Sequence, residues 1–262
     1  MYIILIPVAL ILSCSFIFNS VTFYPDKEHI LDVKKLPQGT TELFIKTKDN
    51  VSLHSLYFKH SKTSEKLIIY FHGNAGNVYN RIKESIKLSG TGCDVLLISY
   101  RGYGKSDGEP SEQGLYIDGN AAFEYASGTL GYDSKNIIIY GRSLGTAVAV
   151  NTAQFRDMNG VILITPFSSG KDLASELTHG SMTFLASGRL TSSEKINNLK
   201  CPLLVIHGTA DEVVPYSLGI KLYSLYNGKK QFVTIDSGMH NDLEYTDSQT
   251  YWNAITDFVS KN

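Results

Sequence analysis

Cysteine is scarce, tryptophan occurs once, and neither sign of charge dominates. Cys14, Cys93 and Cys201 stand far apart in a chain of 262 residues. That spacing gives no CxxC pair, no metal-ligand pair and no disulfide framework. Cys93 and Cys201 flank predicted strands and read as packing residues; whether they pair with each other is left open. Lys and Arg number 24 and Asp and Glu 25, for a net charge of −1. A chain so balanced carries no electrostatic footprint for nucleic acid. There is no internal repeat, low-complexity tract or block of like charge, so solenoid and array architectures are excluded. The length suits one α/β domain with a sizeable core.

Charge is also missing from the amino terminus. No charged side chain precedes Asp26, and residues 2–18 are almost wholly apolar, interrupted by Pro7. That length falls between a signal-peptide core and a full membrane span. It reads as a short anchor, a cleaved signal or a lipoprotein signal. For the last, Ile11-Leu12-Ser13-Cys14 resembles a lipobox that would make Cys14 the acylated first residue. No basic n-region stands before the run, and Lys27, Lys34 and Lys35 follow it, which favours a cytoplasmic carboxyl side for an uncleaved anchor. A buried core helix is the bland alternative. Residues 1–20 are therefore expected to associate the protein with a membrane, and residues 40–262 to form its folded domain.

Within that domain, apolar strands alternate with helical patterns. Strands are expected at Glu42–Lys48, Val51–Phe58, Leu67–Phe71, Asp94–Tyr100, Ile137–Tyr140, Gly160–Thr165, Pro202–Ile206 and Gln231–Ile235. Helices are expected at 78–89, from Ser111 to about Ala126, after Ser143, and from Pro215 to Tyr226, with a last one closing the chain. This alternation predicts an α/β fold with a mainly parallel sheet covered on both faces. Residues 167–198 lack a strand pattern and read either as a short cap or as helices on a sheet face.

The chemistry centres on Gly141-Arg142-Ser143-Leu144-Gly145, where a β-branched run ends in a sharp turn before small and apolar residues. A G-x-S-x-G turn between strand and helix lifts the Ser hydroxyl out of the sheet and aims helix N–H groups at developing negative charge. The pattern recurs at Gly104-Lys105-Ser106-Asp107-Gly108, but no apolar strand directly precedes that copy and Glu109-Pro110 follow it. Ser143 is the nucleophile expected from context and Ser106 a loop residue. Asp211 follows a predicted strand, and His240 lies in the loop after the last one. A Ser hydroxyl needs an imidazole to take its proton, and the imidazole needs a carboxylate to fix its tautomer. Asp236 and Asp242 rival Asp211. Asp236 is too close in sequence to orient the ring, and Asp242 reads as a helix start. The order Ser, acid, His is that of the α/β-hydrolase arrangement. The Gly-rich loop His72-Gly73-Asn74-Ala75-Gly76-Asn77 fits neither a Walker loop nor G-x-G-x-x-G, and reads as an oxyanion loop. Asn74 and Leu144 are the expected backbone donors. This chemistry calls for no metal and no cofactor. His72, His207 and Arg101 read as structural.

His72 to Asn77, Arg101-Gly102-Tyr103-Gly104, Tyr140 to Gly145, His207-Gly208-Thr209-Ala210-Asp211 and His240-Asn241-Asp242 together resemble the BEM46-like branch of the α/β-hydrolase superfamily, over about residues 40–261. The resemblance implies a membrane-anchored serine hydrolase acting on acyl esters, lysophospholipids or protein acyl thioesters. The Cys-rich amino terminus of the protein-depalmitoylating members is absent, so that substrate does not carry over. The expected activity is hydrolysis of small or lipid-like acyl esters or thioesters near a membrane. A non-catalytic lipid-binding scaffold and a peptidase or amidase are the alternatives.

Overall fold

The computed structural model describes residues 16–262. Most of the apolar amino-terminal run, Cys14 included, lies outside the described residues. Residues 16–22 are helical; Phe18 packs edge-on against Phe23 with ring centroids 6.4 Å apart, and both are buried. Phe16, Ile17 and Val21 face outward. No described helix is long and apolar enough to cross a membrane.

An eight-stranded sheet organises the domain. Its strands are β1 (Thr40–Lys46), β2 (Ser52–Phe58), β3 (Leu67–Phe71), β4 (Asp94–Ile98), β5 (Ile137–Arg142), β6 (Gly160–Ile164), β7 (Leu203–Gly208) and β8 (Lys230–Ile235). The spatial order is β1-β2-β4-β3-β5-β6-β7-β8. The hairpin strand β2 runs antiparallel to both β1 and β4, and every other pairing is parallel. Parallel strands need crossovers, and these are α1 (Ile82–Ser89), α2 (Glu112–Gly128), α3 (Leu144–Ala153), α4 (Gly170–Thr178) and α5 (Tyr216–Leu225), with α6 (Ser248–Lys261) closing the chain.

The central strands are apolar at consecutive positions because both faces are covered. Successive residues point to opposite sides. Leu67, Ile69, Phe71, Ile137, Ile139, Val161 and Leu163 join one core with α2 and α3. Ile68, Tyr70, Ile138, Tyr140, Ile162 and Ile164 join the other with α6. Cys93 and Cys201 are free and buried, and burial pushes their thiols up to about 11 and about 12.

Strand bounds differ from the sequence expectation by one or two residues. The predicted helix at 78–89 is a 3-10 turn at Val78–Arg81 continued by α1, because Asn77 and Asn80 cap each other's backbone and tighten the first turn. Residues 167–198 hold α4 and short helical turns. Their buried apolar side chains, Phe167, Ala186, Leu190 and Ile196, join the core face shared with α3.

Candidate active site

The turn at the carboxyl end of β5 explains its two glycines. Ser143 has φ 52° and ψ −119°, a strained backbone for a residue with a side chain, of a kind that costs about 1–3 kcal/mol and marks functional sites. A Cβ on Gly145 would lie 2.0 Å from the Phe71 carbonyl oxygen, and one on Gly141 would lie 2.6 Å from the Gly145 carbonyl oxygen. Strand and helix cross so closely at this corner that neither position admits a methyl group. Ser143 N–H donates to the Ile164 carbonyl at 2.9 Å, which ties the corner to β6.

Three loops on the same rim converge there. His240 Nε2 lies 3.0 Å from Ser143 Oγ. His240 Nδ1 lies 2.8 Å from Asp211 Oδ2 and 3.0 Å from Oδ1. An ionised carboxylate only accepts, so Nδ1 carries the proton and the Nε2 lone pair faces the hydroxyl. Asp211 Oδ1 also accepts the Val213 and Val214 N–H groups. Burial pulls Asp211 upward, but hydrogen bonds from His207, His240 and the Val214 N–H hold it well below the usual carboxylate range. The acid therefore stays charged when buried.

The other candidates fall into place around this chain of contacts. Gly73 sits against the elbow, since a Cβ there would come within 3.6 Å of Ser143 Cβ. Asn74 lines the same cavity as Ser143 and His240. Its carbonyl accepts the Tyr24 N–H at 3.1 Å and the Tyr103 hydroxyl at 2.7 Å. Tyr24–Pro25 pairs in parallel with Ala75–Gly76, so a strap from the amino-terminal side braces the loop that presents Asn74. Leu144, first residue of α3, has no intrahelical acceptor for its N–H. Ser106 is elsewhere: buried, it donates to the Ser99 carbonyl and accepts the His54 N–H. Arg101 braces Asp118 and Asp49. Asp242 Oδ1 accepts the Met239 N–H, and Asp236 is exposed. His72 is fully buried, donates from Nδ1 to the Gly73 carbonyl, and is pushed down to about 3 by burial, helped by the charge of Arg81. None of residues 167–198 lines the cavity, whose volume is about 160 Å³.

Several further side chains support these three residues. His207 Nε2 lies 2.9 Å from the Val214 carbonyl and 3.2 Å from Asp211 Oδ2, so this second imidazole backs the acid. A Cβ on Gly219 would come within 2.2 Å of its Nδ1; the helix α5 has a glycine where the ring needs room. Arg142, between Gly141 and Ser143 in the elbow, reaches the His240 carbonyl and Glu84, each at 3.2 Å. Glu84 also accepts the Tyr70 and Tyr140 hydroxyls. Burial would raise Glu84, but Arg142, the two tyrosines and the charge of Arg81 hold it below its ordinary value. This network anchors the histidine loop to the floor of the site. A His four residues before Asp211 was the one local signal available; Glu84 gave none.

Comparison with known proteins gives the family and the fold. The profile of the α/β-hydrolase fold family matches residues 66–204. Protein bem46 of Schizosaccharomyces pombe is 34% identical over 246 residues, covering 90% of this chain and 82% of that one. An uncharacterised protein of Mycobacterium tuberculosis is 36% identical over 228 residues, 86% of this chain and 81% of its own. An esterase from Pyrococcus furiosus superposes with a TM-score of 0.75 over 91% of this chain and 98% of its own, at 20% identity, a likeness of fold.

Proposed function

The chain belongs to the α/β-hydrolase fold family, in its BEM46-like branch, and from that premise we propose that it is a serine hydrolase of carboxylic esters or thioesters. The observation that carries the reading is the run of contacts from Asp211 through His240 to Ser143, at 2.8 and 3.0 Å.

In this reading His240 Nε2 takes the Ser143 hydroxyl proton as Oγ attacks the acyl carbon. The carbonyl π electrons move to oxygen, and the oxyanion is received by the Asn74 and Leu144 N–H groups. Asp211, held charged and backed by His207, stabilises the imidazolium. His240 then gives its proton to the departing alcohol or thiol, leaving an acyl group on Ser143. Water, deprotonated by His240, attacks that acyl group, and the carboxylic acid leaves as Oγ regains the proton.

We place the activity at a membrane surface. Residues 2–18 support this, being apolar and uncharged, as do the outward-facing Phe16, Ile17 and Val21 of the helical residues 16–22. Recovery of the full-length chain wholly in the soluble fraction after cell lysis would remove that part.

The test is covalent labelling with a fluorophosphonate probe beside turnover of short and long acyl esters and matched amides. Ser143→Ala is expected to lose labelling and to lower kcat by roughly 10⁵-fold or more. Equal labelling of both proteins would overturn the assignment. Liposome binding without turnover would favour a scaffold, and amide turnover above ester turnover a peptidase or amidase.

A further inference from the structure

The cavity beside Ser143 holds a cation with no carboxylate within ion-pair distance, although its charge reaches Glu84 and helps hold that carboxyl down. Arg81 lines the cavity together with Gly73, Asn74, Ser143 and His240. Its Nη2 donates to the Ala75 carbonyl at 3.0 Å, which places the guanidinium on the oxyanion-loop side. Its Nε is buried and has no partner. No carboxylate comes within ion-pair distance of Arg81 among the described residues. The nearby carboxylates are engaged elsewhere. Glu84 is taken by Arg142, Tyr70 and Tyr140. Asp211 is taken by the two histidines, and Glu212 accepts the His240 N–H.

Arg142 makes the contrast within the same cavity, because its guanidinium is consumed by Glu84 and the His240 carbonyl. A buried donor left unpaired costs free energy that a ligand can recover. Guanidinium groups are suited to planar and tetrahedral oxyanions because they offer several donors in a fixed fork.

Resting on the serine-hydrolase reading above, we propose that Arg81 is a specificity residue that binds an anionic group, a carboxylate or a phosphate, on the ester substrate. The preferred substrate is thus an acyl ester or thioester bearing a negative charge close to the scissile carbonyl. The remaining acyl surface is left to the rim around the cavity.

The test uses the full-length protein and a matched set of phenyl butyrates. They carry a para-carboxylate, a para-phosphate monoester or a neutral para-carboxamide; an adipate hemiester puts the charge on the acyl side instead. The quantity read is the ratio of kcat/KM for each anionic ester to that for its neutral counterpart. Wild type is expected to give a ratio of roughly tenfold or more for at least one anion, since charge-assisted hydrogen bonds are worth that much. The ratio should fall as salt is added, because screening weakens it. Arg81→Gln should bring it near one, and Arg81→Lys should keep part of it, with thermal melts showing that both variants fold. Which arm responds separates carboxylate from phosphate. A wild type that hydrolyses neutral esters equally well, or an Arg81→Gln ratio unchanged from wild type, overturns the proposal alone. Absence of all turnover and of labelling at Ser143 overturns the hydrolase reading with it.

Discussion

The rim that carries Ser143, Asp211 and His240 and the neighbouring segment 167–198 are built by opposite rules. On the rim, polar groups are buried and paired: Asp211 takes hydrogen bonds from two imidazoles and two backbone amides, and Arg142 ties the histidine loop to Glu84. Backbone positions there admit glycine alone. The neighbouring segment is made of α4 and short turns, exposes Leu177, Met182 and Phe184, and contributes only a few core side chains. The difference teaches where chemistry constrains a chain. A chain of buried hydrogen-bonded groups must be held within tenths of an ångström, while a surface segment need only bury enough to stay attached.

That contrast can be broken by substitution. Gly145→Ala is expected to do most damage, because its methyl group would meet the Phe71 and His72 carbonyl oxygens at 2.0 and 2.7 Å. A loss of about 3 kcal/mol or more in unfolding free energy is expected from such overpacking. Denaturant titration of wild type and variant reads it, and an unchanged midpoint would show that strand and helix are not in contact there.

The histidine behind the acid comes next. His207→Leu removes the N–H shared by Asp211 and the Val214 carbonyl, and kcat should fall roughly tenfold with little change in KM. His207→Gln, which can restore a donor, should recover part of the loss. Equal activity in wild type and His207→Leu would reduce that side chain to filling.

Acid sharpens the comparison. His72 is held down to about 3 when folded, whereas an imidazole in the unfolded chain takes up its proton at about 6.5. Between those values the unfolded state binds the extra proton, so its contribution is full above the upper one and declines as pH falls toward the lower. Stability should therefore drop by up to about 1.4 kcal/mol per pH unit on this group's account. His72→Phe should flatten the acid limb of a plot of stability against pH by about one proton; an identical slope would show that His72 does not titrate on unfolding.

The smallest effect is expected in the other region. Phe184→Ser, on an exposed turn, should move stability by no more than about 0.5 kcal/mol and leave turnover of a short soluble ester unaltered. A large loss in either would mean that the segment is part of the working site after all.

What was legible in the sequence was whatever depends on neighbours along the chain. The apolar run Leu67-Ile68-Ile69-Tyr70-Phe71 announces a strand buried on both faces, and Gly141-Arg142-Ser143-Leu144-Gly145 announces its corner because close crossing forbids side chains on either side. Ser143, Asp211 and His240 were each found just beyond a strand end, which puts them on one rim once the strands are parallel. Glu84 and His207 carry no such mark of their place in the site. Glu84 lies on a helix with an ordinary polar and apolar pattern, and only folding brings it under Arg142, 58 residues away. The brace from Tyr24 to Asn74 is likewise a pairing between distant backbone groups that carry no side-chain signal.

By itself the sequence determined the strand succession, the strained corner at Ser143 and the placing of Ser143, Asp211 and His240 on one rim, because these follow from local steric demands and from the direction in which parallel strands deliver their ends. Only the tertiary structure decided that Asp211 meets two imidazoles, that Arg142 pairs with a carboxylate while Arg81 bonds a backbone carbonyl, and that the strap through Tyr24 holds the loop carrying Asn74. Those are questions of which polar groups meet when water is removed, and separation along the chain says nothing about them.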